Sequence, residues 1–137
     1  MGVSVRLSRN ARVYLPFWIA IPAYLIVGIV WIGIAAVMVM VWLPGQETPI
    51  HDHLAWCVTG VMQGGEYEEI YATDGEHLSL VTRNRNAVGA VSAFAPPGDI
   101  HRVRNDGAGV AISMHVYGTD ISRVGSSVRR VYDLPVR

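Results

Sequence analysis

The stretch "TPIHDHLAWC" sets two imidazoles, His51 and His53, two residues apart after a proline and ahead of an apolar run. Successive side chains of a strand point to opposite faces, so on a strand these two look the same way. A third imidazole, His101, follows the Pro-Pro-Gly turn of "APPGDIHRVRN" and opens another run of strand character. A fourth, His115, stands in "ISMHVYG" between Ser113 and Tyr117, and period-two spacing puts those three on one strand face. In a small β-barrel the inward faces of non-adjacent strands converge on one cavity. There His51, His53 and His101 form three corners of a metal site, and Ser113, His115 and Tyr117 line its wall. Taken singly, each element has a plainer reading: a surface His-x-His pair, a histidine bonded to a turn carbonyl, a satisfied polar network in the core. The combination, in order and on strands, favours the site.

The elements that must hold these residues are short. After Ala36, "VMVMVWL" ends at Pro44-Gly45, "AWCVTGVM" at Gly64-Gly65, "AVSAF" at Pro96-Pro97-Gly98 and "IHRVR" at Asn105-Asp106-Gly107. "EYEEIYA" and "EHLSLVT" flank Thr73-Asp74-Gly75, where Asp-Gly is a strong hairpin signal. Strands at this spacing predict an all-β sandwich or barrel. No helical periodicity, internal repeat or low-complexity segment follows Ala36.

At 137 residues the chain is one domain by length, with little surplus core. Its 11 basic residues, all arginine and scattered, balance its 11 acidic ones, which gives no electrostatic footprint for nucleic acid. Cys57 is the only cysteine, so an intramolecular disulfide is impossible. The 51% hydrophobic content is uneven, because no charged residue occurs from Val13 to Pro44. A bilayer core needs roughly 20 apolar residues in a helix, and "VYLPFWIAIPAYLIVGIVWIGIAA" meets that length. Residues 1–36 are therefore expected to form an apolar N-terminal helix that spans a membrane once, with residues 37–137 as the β domain. Arg6, Arg9 and Arg12 before the segment place its N-terminus in the cytoplasm. The alternative is a pair of buried strands or a core helix in a cytoplasmic protein, since Val, Ile, Trp and Tyr also favour strands.

His51-Asp52-His53 and the segment from Pro96 to Asn105, with Gly98 and His101 at the expected offsets, resemble the two motifs of the cupin superfamily. The implied fold is the double-stranded β-helix, a small jelly-roll barrel. The glutamate ligand usual after the second histidine is absent, because Cys57 and Val58 stand there, which leaves three neutral imidazoles. Three histidines with Ser-x-His-x-Tyr downstream are similar to the cysteine dioxygenase family of thiol dioxygenases, over roughly Val37 to Asp133.

That resemblance implies a mononuclear Fe(II) on His51, His53 and His101, and an outer relay of Ser113, His115 and Tyr117. It further implies oxidation of a small thiol, of cysteine or 3-mercaptopropionate type, to its sulfinic acid with O₂. The chemistry agrees: imidazole suits iron, three protein ligands leave open positions, and an incoming thiolate supplies the missing anion. Zinc would bind the same imidazoles. The family clamps its substrate carboxylate with an arginine, a bidentate task for which "VRRVYD" offers Arg129 or Arg130, and "RVGSS" offers Arg123. Some members carry a thioether between a cysteine after the His-x-His motif and the relay tyrosine, here Cys57 and Tyr117. If the strand entered at His51 runs on without a bulge, residues 51, 53, 55 and 57 share a face and the sulfur points into the cavity. The other reading of Cys57 is a small buried hydrophobe. The rival to an enzyme is a non-catalytic cupin module, anchored at a membrane, that binds a metal or ligand. A zinc hydrolase or isomerase is the weaker third reading, because no free carboxylate base accompanies the motif.

Overall fold

The computed structural model describes residues 35–137 throughout; ahead of them it describes the backbone of three strands, Gly2–Leu7, Ala11–Pro16 and Leu25–Ile32. β1 (Gly2–Leu7) and β2 (Ala11–Pro16) pair with each other as an antiparallel ribbon. β3 (Leu25–Ile32) is followed by β4 (Ala35–Trp42), β5 (His51–His53), β6 (Cys57–Gln63), β7 (Gly65–Thr73) and β8 (Leu78–Ala87). β9 (Val91–Phe94), β10 (His101–Arg104) and β11 (Ala111–Tyr117) come next, then a single helical turn, α1 (Ile121–Val124), and β12 (Val128–Val131). These strands make two five-stranded antiparallel sheets, ordered β3-β4-β11-β6-β9 and β12-β5-β10-β7-β8. The Asp-Gly hairpin forms as expected: Asp74 Oδ1 accepts from the backbone of Glu76 and His77, and Gly75 turns at φ 97°.

Alternation decides which side chains enter the space between the sheets. On β11 it buries Ala111, Ser113, His115 and Tyr117, and on β10 it buries His101 and Val103. Trp42 and Ala111 of one sheet pack against Val103 of the other, so these faces meet. Further apolar packing joins Ala36, Met38, Cys57, Tyr117 and Ile121 at one place, and Tyr71, Leu78 and Ile100 at another. A fully buried Leu78 contributes about 1.5–3 kcal/mol. Between these clusters the interior is polar, which is costly unless every group finds a partner.

Two buried polar residues fasten the frame. Asn105 donates to the carbonyls of Trp42 and Gly109 at 3.0 and 2.8 Å and accepts from Gly107, which fixes the turn from β10 to β11. Glu69, on the opposite face of β7 from Glu68, binds Tyr71, Arg83 and Arg102, tying β7, β8 and β10 together. Burial works against its charge, but those hydrogen bonds outweigh it and hold the carboxyl down to about 2.

The expected N-terminal membrane helix is not what the described residues form. Leu25–Ile32 is a strand paired antiparallel with β4 up to the Ile32–Ala35 pair, and no helix among the described residues is long and apolar enough to cross a membrane. The physical reason is the alternative weighed from the sequence: β-branched and aromatic residues suit a sheet as well as a bilayer, and hydropathy does not distinguish them. Residues 17–24, the centre of the expected span, lie outside the described residues.

Candidate metal centre

One cross-strand pair and one step of alternation assemble the three histidines. β5 and β10 are neighbours, not the separated strands the sequence suggested, and His101 lies directly opposite His51 in their register. His53 is two residues further along the same face of β5. Ring centroids are 4.9 Å apart for His51 and His53, 4.7 Å for His51 and His101, and 5.0 Å for His53 and His101. One ring nitrogen from each lies within 4.8 Å of the others, and all three residues are buried.

Each ring is held from behind through Nδ1. His51 Nδ1 donates to the Pro49 carbonyl at 2.9 Å, His53 Nδ1 to Asp99 Oδ2 at 2.9 Å, and His101 Nδ1 to Glu68 Oε1 at 3.0 Å. With the proton on Nδ1, every Nε2 keeps its lone pair. His101 Nε2 is buried without a protein partner, an orphaned acceptor that a cation would satisfy. The donor set fits a divalent transition metal, for which imidazole is a common ligand. Burial, His101 and His53 all press the pKa of His51 well below its ordinary value, the Pro49 bond opposing them only in part. Burial and His101 likewise lower His53 against the pull of Asp99. Both rings are thus neutral and ready to ligate near pH 7.

The facing sheet carries the second set. Ser113 Oγ and His115 Nε2 are 2.9 Å apart, and His115 Nδ1 and the Tyr117 hydroxyl 3.3 Å, so the three form a chain along β11. Trp42 Nε1 donates to Ser113 Oγ at 2.9 Å. Burial, helped by His101 and His53, pushes the pKa of His115 down to about 3, and burial with the nearby Cys57 raises that of Tyr117. Tyr117 closes on the histidines, its ring centroid 6.0 Å from that of His53.

Cys57 meets Tyr117, but by a different route from the one expected. β5 stops at His53, the chain turns through Leu54–Trp56, and Cys57 opens β6 in the opposite sheet, where it is the register partner of Tyr117. The uninterrupted strand from His51 to Cys57 does not exist. Burial pushes the thiol up to about 12, the hydrogen bond with Tyr117 offsetting only part of that.

Of the arginines expected to clamp a carboxylate, Arg129 is bonded to Asp52 and Arg123 is exposed. A bulge between Val128 and Arg130 sets Arg129 against Asp52, which lies on the face of β5 opposite His51 and His53. Tyr132 also donates to Asp52, and Arg130 lies over the Tyr132 ring at 5.6 Å. Arg123 is exposed on α1. Sequence reasoning missed Asp99, Glu68, Trp42 and Glu66. Three of them had a signal: Asp99 stands two residues before His101, and "EYEE" alternates Glu66 and Glu68 onto the inward face.

Comparison with known proteins agrees with this geometry. The cysteine dioxygenase type I family profile matches residues 28–129. The chain belongs to that family. Solved structures similar to this cysteine dioxygenase family member share its fold. A cupin 2 conserved barrel domain protein from Salinispora arenicola is 22% identical, with a TM-score of 0.50 over 68% of this chain and 69% of that one. A cupin superfamily protein from Desulfitobacterium hafniense is 12% identical, with a TM-score of 0.51 over 66% and 72%. The oxalate decarboxylase of Bacillus subtilis, a protein with Mn(II) centres, is 21% identical, with a TM-score of 0.52 over 63% of this chain and 22% of its own. All lie within the all-β cupin architecture.

Proposed function

We propose that this chain is a thiol dioxygenase, oxidising a small thiol of cysteine or 3-mercaptopropionate type to its sulfinic acid with both atoms of O₂. Iron(II) would be held by the Nε2 atoms of His51, His53 and His101. When bound, it would supply open positions for thiolate and oxygen and lower the thiol pKa. The observation that carries the reading is the hydrogen-bonded row Ser113, His115 and Tyr117 facing the histidines from the other sheet. A module that only binds a metal has no use for such a row, whereas an oxidation at sulfur needs a placed proton donor.

The chain's own residues divide the work. Tyr117, whose pKa is raised, remains a protonated phenol and donates without ionising. His115 stays neutral, so it accepts at one nitrogen while donating at the other. Asp99 and Glu68 set the tautomers of His53 and His101 and place two carboxylates behind a ligand set that carries no charge itself. Phe94 covers His101 at 4.5 Å between ring centroids and limits water at that side. The test is anaerobic reconstitution with Fe(II), then oxygen uptake and sulfinate analysis across a panel of thiols. Sulfinate formed at one O₂ per thiol is expected; iron binding without thiol-dependent oxygen uptake would leave a binding module.

A further inference from the structure

β8 ends one sheet and β9 ends the other, and residues 88–90 carry the chain between them. The corner is fastened from the inside. Asn86 Nδ2 donates to Ser92 Oγ at 3.3 Å, and Ser92 Oγ donates in turn to Glu68 Oε2 at 3.2 Å. The other oxygen of Glu68 takes the Nδ1–H of His101 at 3.0 Å. A run of three hydrogen bonds therefore leads from the corner to a histidine of the metal centre.

The strand pairing makes Glu68 depend on Ser92. The direct partner of His101 on β7 is Ile70, and Glu68 stands opposite Val103. Its carboxylate reaches His101 along a diagonal, where neighbours lie about 7–8 Å apart and register alone does not aim a flexible side chain. At 2% exposure Glu68 is shut off from bulk solvent, so its second oxygen needs a donor from the protein, and Ser92 is the one it meets. The amide N–H of Asn86 takes up a lone pair of Ser92 and leaves the hydroxyl proton for Glu68.

His53 is supported in another way. Asp99 Oδ2 takes both the ring Nδ1–H and the backbone N–H of His53, two donors on the same residue of β5. The support of His101 comes instead from the facing sheet. Phe94, two residues from Ser92 on the same face of β9, has its ring centroid 4.5 Å from that of His101, so β9 meets both the ring and the carboxylate behind it.

We propose that Ser92 is a positioning residue for the metal centre: from the edge of the facing sheet it aims Glu68 at His101, and so fixes the tautomer that leaves His101 Nε2 free for a metal. The inference deepens the three-histidine reading above and rests on it. Ser92 touches neither metal nor substrate and acts through Glu68. Without its hydroxyl, Glu68 Oε2 is unpaired in the interior, the carboxylate turns to whatever donor it can reach, and its hold on the His101 ring loosens.

The first measurement uses the full-length, metal-free protein with ¹⁵N-labelled histidine. His101 and His53 each carry a buried Nδ1–H bonded to a carboxylate, and the exchange of each proton with water is followed by its own resonance. In Ser92→Ala the His101 proton should exchange about tenfold faster, the size of one lost hydrogen bond to a charged group, while the His53 proton is unchanged. Equal acceleration at both rings would show a general loss of stability, and no change at His101 would show that Glu68 is aimed without Ser92; either result overturns the proposal. The second measurement is anaerobic competition for Fe(II) against a chelator. Ser92→Ala should weaken Fe(II) binding about tenfold, the lower end of the range for groups behind a ligand, and less than about twofold when Glu68→Gln is already present, because the amide nitrogen offers Ser92 no second acceptor. A loss of equal size in both backgrounds overturns the proposal. Wild-type protein that binds no Fe(II) would sink the three-histidine reading by itself, while proton exchange in the metal-free protein still decides the role of Ser92.

Discussion

Asp99 gives the sharpest test of the metal centre. Its Oδ2 accepts from His53 Nδ1 at 2.9 Å and from the His53 backbone N–H at 3.1 Å, so one carboxylate fixes both the ring and the strand that bears it. Asp99→Asn keeps an oxygen acceptor of the same shape and removes the charge. A hydrogen bond to a charged group contributes about 1.5–3 kcal/mol and a neutral one about 0.5–1.5, so the change costs about 1–1.5 kcal/mol at His53. Metal affinity should fall about five- to tenfold. Asp99→Ala leaves the Nδ1–H unpaired and the ring free to take the other tautomer, so its loss should approach the upper end of the 10–100-fold range, about 2.7 kcal/mol. The assay is anaerobic competition for Fe(II) against a chelator of known affinity, with Asp106→Asn, on an exposed turn, as control. Glu68→Gln should act on His101 in the same way. The two effects should fall short of additive, because both rings serve one ion. Wild-type affinity in Asp99→Ala would refute the argument that the rings are oriented from behind.

Other expectations follow from the same residues. His115 is held down to about 3, and His51 and His53 are also lowered, so unfolding takes up protons below the ordinary histidine value of 6.5 and stability is lost as pH falls. Each contributes up to about 1.4 kcal/mol per pH unit in that window. The metal-free protein should therefore lose Tm from about pH 6.5 downward, and a flat Tm there would contradict burial of neutral rings. Glu66, shifted the opposite way, costs stability above the carboxylate range and opposes this slope, so Glu66→Gln should steepen it. Gly64→Ala should lower stability by about 1–3 kcal/mol in urea titration, because Gly64 turns at φ 71° and a Cβ would lie 2.9 Å from the Val110 carbonyl oxygen. An unchanged midpoint would mean that this turn relaxes freely. Arg129→Ala should weaken the fold through loss of the Asp52 pair while leaving the KM ratio between a mercapto acid and a carboxylate-free thiol unchanged. A selective rise for the mercapto acid would restore the clamp. Cys57, buried and pushed up to about 12, should react with thiol reagents only on unfolding; rapid labelling of the folded protein would show it open.

The sequence by itself determined what is local or periodic. Two-residue spacing put His51 beside His53, and Ser113 beside His115 and Tyr117, because strand alternation acts within a few residues and is independent of what packs above. Turn residues marked most of the strand ends, and the motif around His101 carried the family. Tertiary structure decided everything that depends on which strand neighbours which. Register alone put His101 opposite His51, the break at Leu54–Trp56 moved Cys57 to the other sheet beside Tyr117, and the β12 bulge set Arg129 against Asp52. The same holds for Glu68 and Asp99: the sequence displays the carboxylates, but only burial and a partner brought from a distant strand turn a solvated charge into a group that orients a ring. Hydropathy failed at Leu25–Ile32 for a related reason, since it measures how apolar a segment is and not what covers it.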